Sequence, residues 1–162
     1  MSNTNMNHNE YIEYILQNYS NMIYRLAMSI TKNKFHAEDI TQEVFVRLIK
    51  NRPTFENREH EKAWLLRVTI NCSKKLMYSA WFRHTVELGE NFEFESQEIS
   101  DVYNVVLKLP EKYREVIHLF YYEDLSLKDI SSILKASEGT IKSRLSRARE
   151  ILKTTMKGGE WE

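Results

Sequence analysis

The sequence predicts an all-α protein: two small helical domains joined by an acidic linker, the second domain a helix-turn-helix. Three observations carry this. Glycine and proline are scarce, four and two in 162 residues, which disfavours turn-rich β architectures and favours long helices. Apolar residues recur at three- and four-residue intervals over long stretches, as helices with one buried face require. Between two such regions, the segment from His84 to Asp101 holds six acids and no Lys or Arg, with no sustained period.

The first helix is expected over about Glu10 to Thr31, where Tyr11, Ile12, Ile15, Tyr19, Met22, Ile23, Leu26 and Ile30 share a face. A second runs from about Phe35 to Lys50, with Ala37, Ile40, Val44, Phe45 and Leu48 inward. The polar run from Asn51 to His60 breaks the pattern at Pro53. A third helix spans about Glu61 to Phe82, with Trp64, Leu65, Val68, Cys72 and Leu76 roughly on one side. Three helices of this length can share one core. After the linker, Val102 to Leu109 reads as a short helix, and Pro110 suits the first turn of the next, Glu111 to Tyr122. Ser126-Leu-Lys-Asp129 resembles a capping box and opens a helix to about Leu134. Lys135-Ala136 turns the chain, and Ser137 caps a last helix to about Lys153. The expected division is 1–9 as a disordered N-terminus, 10–83 and 102–157 as the domains, 84–101 as the linker and 158–162 as a tail.

Composition narrows the class. The hydrophobic share is 42% and the charged share 28%, as in globular proteins. No run approaches the ~20 apolar residues of a membrane span. The Asn-rich N-terminus lacks the basic and apolar regions of a signal peptide, and the single Cys72 cannot form an intramolecular disulfide. A cytoplasmic location is therefore expected. Metal and cofactor motifs are missing: His60-Glu61 is followed by Trp64 where a zinc motif needs histidine, and no phosphate-binding glycine loop occurs. We expect no catalysis, no metal and no cofactor. Net charge is zero, yet residues 1–83 hold twelve Lys or Arg against eight acids, and the region after Asp101 holds eleven against nine. Two mildly basic ends flanking an acidic middle suggest a polyanion contacted by both ends. On charge alone, ordinary solvated helix faces serve as well.

The last two helices sharpen that choice. With Ile141 inward and about 100° per residue, Leu145, Ala148 and Leu152 fall in one stripe facing Ile130, Ile133 and Leu134. Lys142, Ser143, Ser146 and Arg147 point away, while Arg144 and Arg149 lie on the flanks, suited to phosphates. Small polar and basic groups at the front of an exposed helix suit a DNA major groove. A basic amphipathic helix that only packs on a neighbour would share the pattern, but the preceding helix and tight turn favour DNA.

Three strings in this region, Leu109-Pro-Glu-Lys-Tyr-Arg-Glu-Val-Ile117, Tyr122-Glu-Asp-Leu-Ser-Leu-Lys-Asp-Ile-Ser131 and Gly139-Thr-Ile-Lys-Ser-Arg-Leu-Ser-Arg-Ala-Arg149, resemble region 4 of extracytoplasmic-function (ECF) RNA polymerase sigma factors, members of the sigma-70 superfamily. The resemblance implies a domain that reads the promoter −35 element and touches the polymerase β flap. Its base-contacting positions match Lys142, Ser143, Ser146 and Arg147, and Ser146 occupies a variable position that tunes specificity. Ala37-Glu-Asp-Ile-Thr-Gln-Glu-Val-Phe-Val-Arg-Leu48 looks like the family's region 2.2. This implies that Asp39, Gln42, Glu43 and Arg47 dock on the coiled coil of the polymerase β′ clamp; taken alone, that polar face reads as solvated.

Trp64-Leu-Leu-Arg-Val-Thr-Ile-Asn-Cys-Ser-Lys-Lys75 resembles regions 2.3 and 2.4, which open and hold the −10 element. Unpaired bases need a stacking or pocketing surface, and their backbone needs positive charge. Phe55 and Asn57 are placed to form a base pocket, Arg58, Lys62, Arg67, Lys74 and Lys75 to follow phosphates, and Asn71 matches a DNA-facing asparagine of the family. Trp64 reads as core. The linker is implied to thread the RNA exit path, and an anti-sigma protein is a common partner in the family, although no residue here indicates one. The tail from Lys157 to Glu162 has no family counterpart. Two readings from other classes remain: a stand-alone helix-turn-helix regulator that binds operator DNA without polymerase, and a helical adaptor that binds only protein.

Overall fold

Asparagine side chains start the three helices of the first unit. In the computed structural model, which describes residues 6–84 and 101–157, α1 spans His8–Thr31, α2 Lys34–Asn51 and α3 Arg58–His84. Asn7 Oδ1 accepts the Glu10 N–H at 2.8 Å, and its Nδ2 donates to Glu10 Oε1. Asn33 Oδ1 accepts from His36 N–H at 3.0 Å and Asn57 Oδ1 from His60 N–H at 2.8 Å. Each bond satisfies one of the donors a helix start leaves open. Two helices consequently begin earlier than hydrophobic spacing indicates: α1 at His8, inside the stretch expected to be disordered, and α3 at Arg58. The acidic stretch from Thr85 to Ser100 and the tail 158–162 lie outside the described residues.

α1, α2 and α3 pack on one another around Ile15, Ile23, Leu26, Ile40, Val44, Leu48, Leu65 and Leu66. The expected faces of α1 and α2 hold. The face of α3 is turned: Glu61, Leu65, Leu66, Thr69, Ile70, Cys72 and Ser73 are buried, whereas Trp64, Val68 and Leu76 are only half-buried. Two hydroxyls explain the shift. Thr69 Oγ1 donates to the Leu65 carbonyl at 2.6 Å and Ser73 Oγ to the Thr69 carbonyl at 2.7 Å, so both enter the core without an unpaired group.

The second unit, divided from the first near residue 88, contains α4 (Asp101–Leu107), α5 (Glu111–Ile117), a π-helical turn (His118–Tyr122), α6 (Leu127–Leu134) and α7 (Glu138–Lys157). Arg114 ties α4 to α5: its buried guanidinium donates to the carbonyls of Leu109 at 2.8 Å and Leu107 at 3.4 Å. The helix expected from Glu111 to Tyr122 is thus not uniform. Its last turn is wound wider, and the Glu123 N–H reaches the His118 carbonyl five residues back at 3.2 Å. Ser126 Oγ caps α6 through the Asp129 N–H at 3.1 Å, as expected. α7 runs four residues past Lys153.

The turn between α6 and α7 is tight. Lys135 adopts the left-handed region at φ 54°, its N–H on the Ser131 carbonyl, and the Ser131 hydroxyl donates to the Ala136 carbonyl. Left-handed backbone costs a residue with a Cβ about 1–2 kcal/mol, and glycine avoids that cost. Lys135→Gly should therefore stabilise the second unit by about 1 kcal/mol. Slower amide hydrogen exchange across α6 and α7 is the expected readout; faster exchange would mean that the lysine side chain contributes more than the strain removes.

Candidate nucleic-acid interface

α7 is rotated by what it buries. Ile141, Leu145 and Ala148 are 0%, 2% and 0% exposed in a helix packed on α5, α6 and α4. Ser137 Oγ fixes its start, accepting the Thr140 N–H at 3.1 Å. With that seam inward, Lys142, Ser143, Ser146 and Arg147 are all exposed. Arg144 is half-buried on the flank. Arg147 Nη1 lies 3.0 Å from Glu150 Oε2, both side chains well exposed, and such a pair is weak enough to be exchanged for another acceptor.

Arg149, on the other flank, is held. Its Nε donates to the Tyr121 hydroxyl at 2.7 Å, and its guanidinium lies 5.6 Å from the ring centres of both Phe120 and Tyr121. The aromatic pair comes from the π-helical turn. Sequence reading places Phe120 on the apolar face of this helix with Tyr113, Val116 and Ile117, and misses Tyr121 and the contact of both with Arg149, because three successive aromatics do not look like a surface.

On α3, the outward strip is Trp64, Arg67, Asn71, Lys75 and Tyr78, which lie within about 80° of one another around the helix. Asn71 and Lys75 are exposed, Tyr78 is 66% exposed, and Trp64, Arg67 and Lys74 are half-buried. Tyr78 was also missed, although its position seven residues after Asn71 marks it. Arg58 and Lys62 lie roughly 140–180° around the helix from Asn71, so the eight expected −10 residues do not form one strip.

The loop before α3 is braced on that helix's first turn. The Phe55 ring meets His60 edge-on at 5.4 Å and Trp64 at 5.8 Å between centres, and the Glu56 N–H donates to His60 Nδ1 at 3.3 Å. Asn57 is exposed, but its carbonyl oxygen is occupied as the α3 cap. Behind the loop, Glu61 is 5% exposed and accepts the Tyr11 hydroxyl at 2.9 Å. Burial, reinforced by this carboxylate, pushes the hydroxyls of Tyr11 and Tyr19 well above the usual tyrosine range. α1 is thereby pinned to the start of α3, beside the loop.

On α2, Asp39, Gln42 and Glu43 are exposed, and Arg47 Nε donates to Glu43 Oε1 at 3.2 Å. The same outward face carries Phe35, Val46 and Ile49, 71%, 39% and 42% exposed. Phe35, Asp39, Gln42, Val46 and Ile49 are spaced alternately by four and three residues, the seam spacing that a helix presents to a coiled coil. Among the described residues, no cluster of three His, Cys, Asp or Glu is placed to hold a metal ion, and no helix is long and apolar enough to cross a membrane. Cys72 is buried, which pushes its thiol up.

A basic helix standing out from a buried seam, behind a capped helix and a tight turn, defines a helix-turn-helix DNA-binding protein. The comparisons specify the class. The family model for Sigma-70 region 2 matches residues 15–83, and that for Sigma-70, region 4 matches residues 94–152. The ECF RNA polymerase sigma factor SigW of Bacillus subtilis (strain 168) is 31% identical over 88% of this chain and 87% of its own. SigM of the same organism is 32% identical over 91% and 96%. Among solved structures, the sigma factor RpoE in complex with the anti-sigma factor NepR from Bartonella quintana matches with a TM-score of 0.78 and 25% identity, over 93% of this chain and 99% of that one. CnrH in complex with the cytosolic domain of CnrY shares the fold, with a TM-score of 0.69 and 18% identity over 94% and 92%. The chain belongs to the ECF sigma factors of the sigma-70 family, which direct promoter-specific transcription initiation.

Proposed function

We propose that promoter recognition is divided between the two units, residues 10–83 serving the −10 element and core polymerase, and residues 102–157 the −35 element. The observation that carries this is the outward face of α7, where Lys142, Ser143, Ser146 and Arg147 are exposed over the buried seam of Ile141, Leu145 and Ala148. On this reading those four side chains read base edges, and Arg144 and Arg149 bind phosphate. The α3 strip of Arg67, Asn71, Lys74 and Lys75 holds the opened −10 strand, with Phe55 and Asn57 at its head. Arg58 and Lys62 contribute charge from another side of the helix. The outer face of α2, Asp39, Gln42, Glu43 and Arg47 with the apolar seam between them, docks on the β′ clamp coiled coil. The spacing of Phe35, Val46 and Ile49 supports that partner. The β flap is the partner of the second unit.

The chain acts in the cytoplasm and is not itself an enzyme; the chemistry belongs to the polymerase. An anti-sigma protein is a further partner. The match to RpoE, solved with its anti-sigma factor NepR, supports that reading.

Run-off transcription with bacterial core polymerase on genomic promoter fragments tests the function. Discrete start sites appearing only with this protein are expected. No stimulation, together with tight operator binding by the protein alone, would establish a stand-alone regulator instead. On a promoter so identified, Arg147→Ala should cost about 1–3 kcal/mol of discrimination at one −35 position. Equal losses on matched and scrambled −35 elements would remove its base-reading role. Asp39→Ala combined with Glu43→Ala should weaken core binding with helicity unchanged, as measured by titration against labelled core; unaltered core affinity would free the α2 face of that role.

A further inference from the structure

Arg149 is the one basic residue of the proposed −35 surface that an aromatic pair holds from outside its own helix. Arginine side chains carry large rotamer entropy, and a contact made by a freely moving one gives up part of its strength in ordering it. Here the ordering precedes binding. Tyr121 takes the Nε–H at 2.7 Å, and the guanidinium lies over Phe120 and Tyr121. The Nη groups, with four N–H donors, make no hydrogen bond to any described residue. An arginine anchored at Nε with both Nη groups outward has the form of a prepared oxyanion clamp.

The holder is itself held. Tyr121 belongs to the π-helical turn, which the Glu123 N–H closes on the His118 carbonyl. The side chains of the same two residues come close inside: His118 Nε2 and Glu123 Oε1 are 3.3 Å apart, 1% and 3% exposed, without hydrogen-bond geometry between them. His118 also stacks on Tyr122, 5.4 Å between centres, and Tyr122 meets Tyr103 of α4 edge-on at 5.4 Å. The backbone bond and the stacked rings thus fix the turn, and with it the place of the Tyr121 hydroxyl. Winding the chain one residue wider disrupts regular helix bonding, a departure found most often at functional sites.

We propose that Tyr121 is a positioning residue for promoter binding: from the π-helical turn, with Phe120, it holds the Arg149 guanidinium ready for a phosphate of the −35 duplex. This rests on the reading of Arg149 as a phosphate contact, and the test separates the two. Holoenzyme assembled from core polymerase and the full chain is bound to a promoter fragment recovered by run-off transcription, over a range of salt concentrations. Arg149→Ala should weaken matched and scrambled −35 elements alike and flatten the slope of log K against log salt by about 0.9, one phosphate's share. Tyr121→Phe keeps the ring and loses only the hydroxyl. It should weaken binding about two- to fivefold with the slope and the melting temperature unchanged. The double variant should bind like Arg149→Ala alone, because Tyr121 acts only through that arginine. A wild-type affinity for Tyr121→Phe, or the same loss in the Arg149→Ala background, overturns the positioning role and leaves the phosphate contact standing. An unchanged salt slope for Arg149→Ala overturns the phosphate contact itself.

Discussion

The rotation of α7 about its own axis is the constraint on which the DNA-binding surface depends. It is set on the side opposite the proposed DNA-reading face. Ile141, Leu145 and Ala148 are spaced by four and three residues, and none is more than 2% exposed. Turning the helix by one residue, about 100°, would expose two branched side chains, each worth roughly 1.5–3 kcal/mol buried. It would also carry Lys142 and Arg149 toward the core, where an unpaired charge is far costlier. No interaction on the outer face approaches that scale; the Arg147–Glu150 pair is solvent-exposed and of a kind worth at most about 1 kcal/mol. The groups proposed to meet DNA are therefore free to vary while their placement is kept.

That constraint also explains what the sequence made legible. α7 and α6 could be read to within a residue or so at their starts, since each begins with a serine cap and carries a clean apolar stripe. α3 was harder. Its core-facing side includes Thr69 and Ser73, polar in composition but satisfied within the helix, so of the expected stripe Leu65 and Cys72 are buried while Trp64, Val68 and Leu76 lie off the core. Its first turn was hidden in a polar run, because a cap such as Asn57 has the composition of a loop. Glu61, a charged residue, is buried and accepts the Tyr11 hydroxyl. Such pairings join residues fifty positions apart, and no local pattern reports them. The π-helical turn was illegible for another reason: it is closed by one backbone bond, from the Glu123 N–H to the His118 carbonyl, which no residue type announces.

Counting charges along the chain overstates what is available to a polyanion. Arg114 is spent on carbonyls that the end of α4 leaves without partners. Burial depresses its proton affinity, and those two carbonyls take two of its five N–H donors. Arg47 shares its charge with Glu43 in an exposed pair, and on the first unit Lys62 and Arg58 lie away from the Asn71 strip. Within each unit, the basic side chains of the proposed DNA surface form a short strip along a single helix, with other exposed bases such as Lys34, Lys50, Lys112 and Lys128 elsewhere. A weak, divided surface of this kind suits a factor that must engage promoters as part of a larger assembly, since neither strip alone gathers the many phosphate contacts that make tight binding by charge.

Within α7 the two outward arginines are prepared in opposite ways, and the difference matches what each is proposed to meet. Arg147 rests on Glu150, one turn along and as exposed as itself. Leaving for a guanine edge strips the carboxylate of its counter-charge close to the DNA backbone, so the exchange is favourable only where the base supplies two good acceptors. The pairing thereby penalises the wrong sequence as well as supporting the right one. Arg149 has no such competitor. Its anchors are neutral aromatic groups that leave the charge undiminished and the outer donors open. A phosphate, present at every base step, calls for a fixed contact that carries no sequence information. A base edge calls for one that is released only on the right partner.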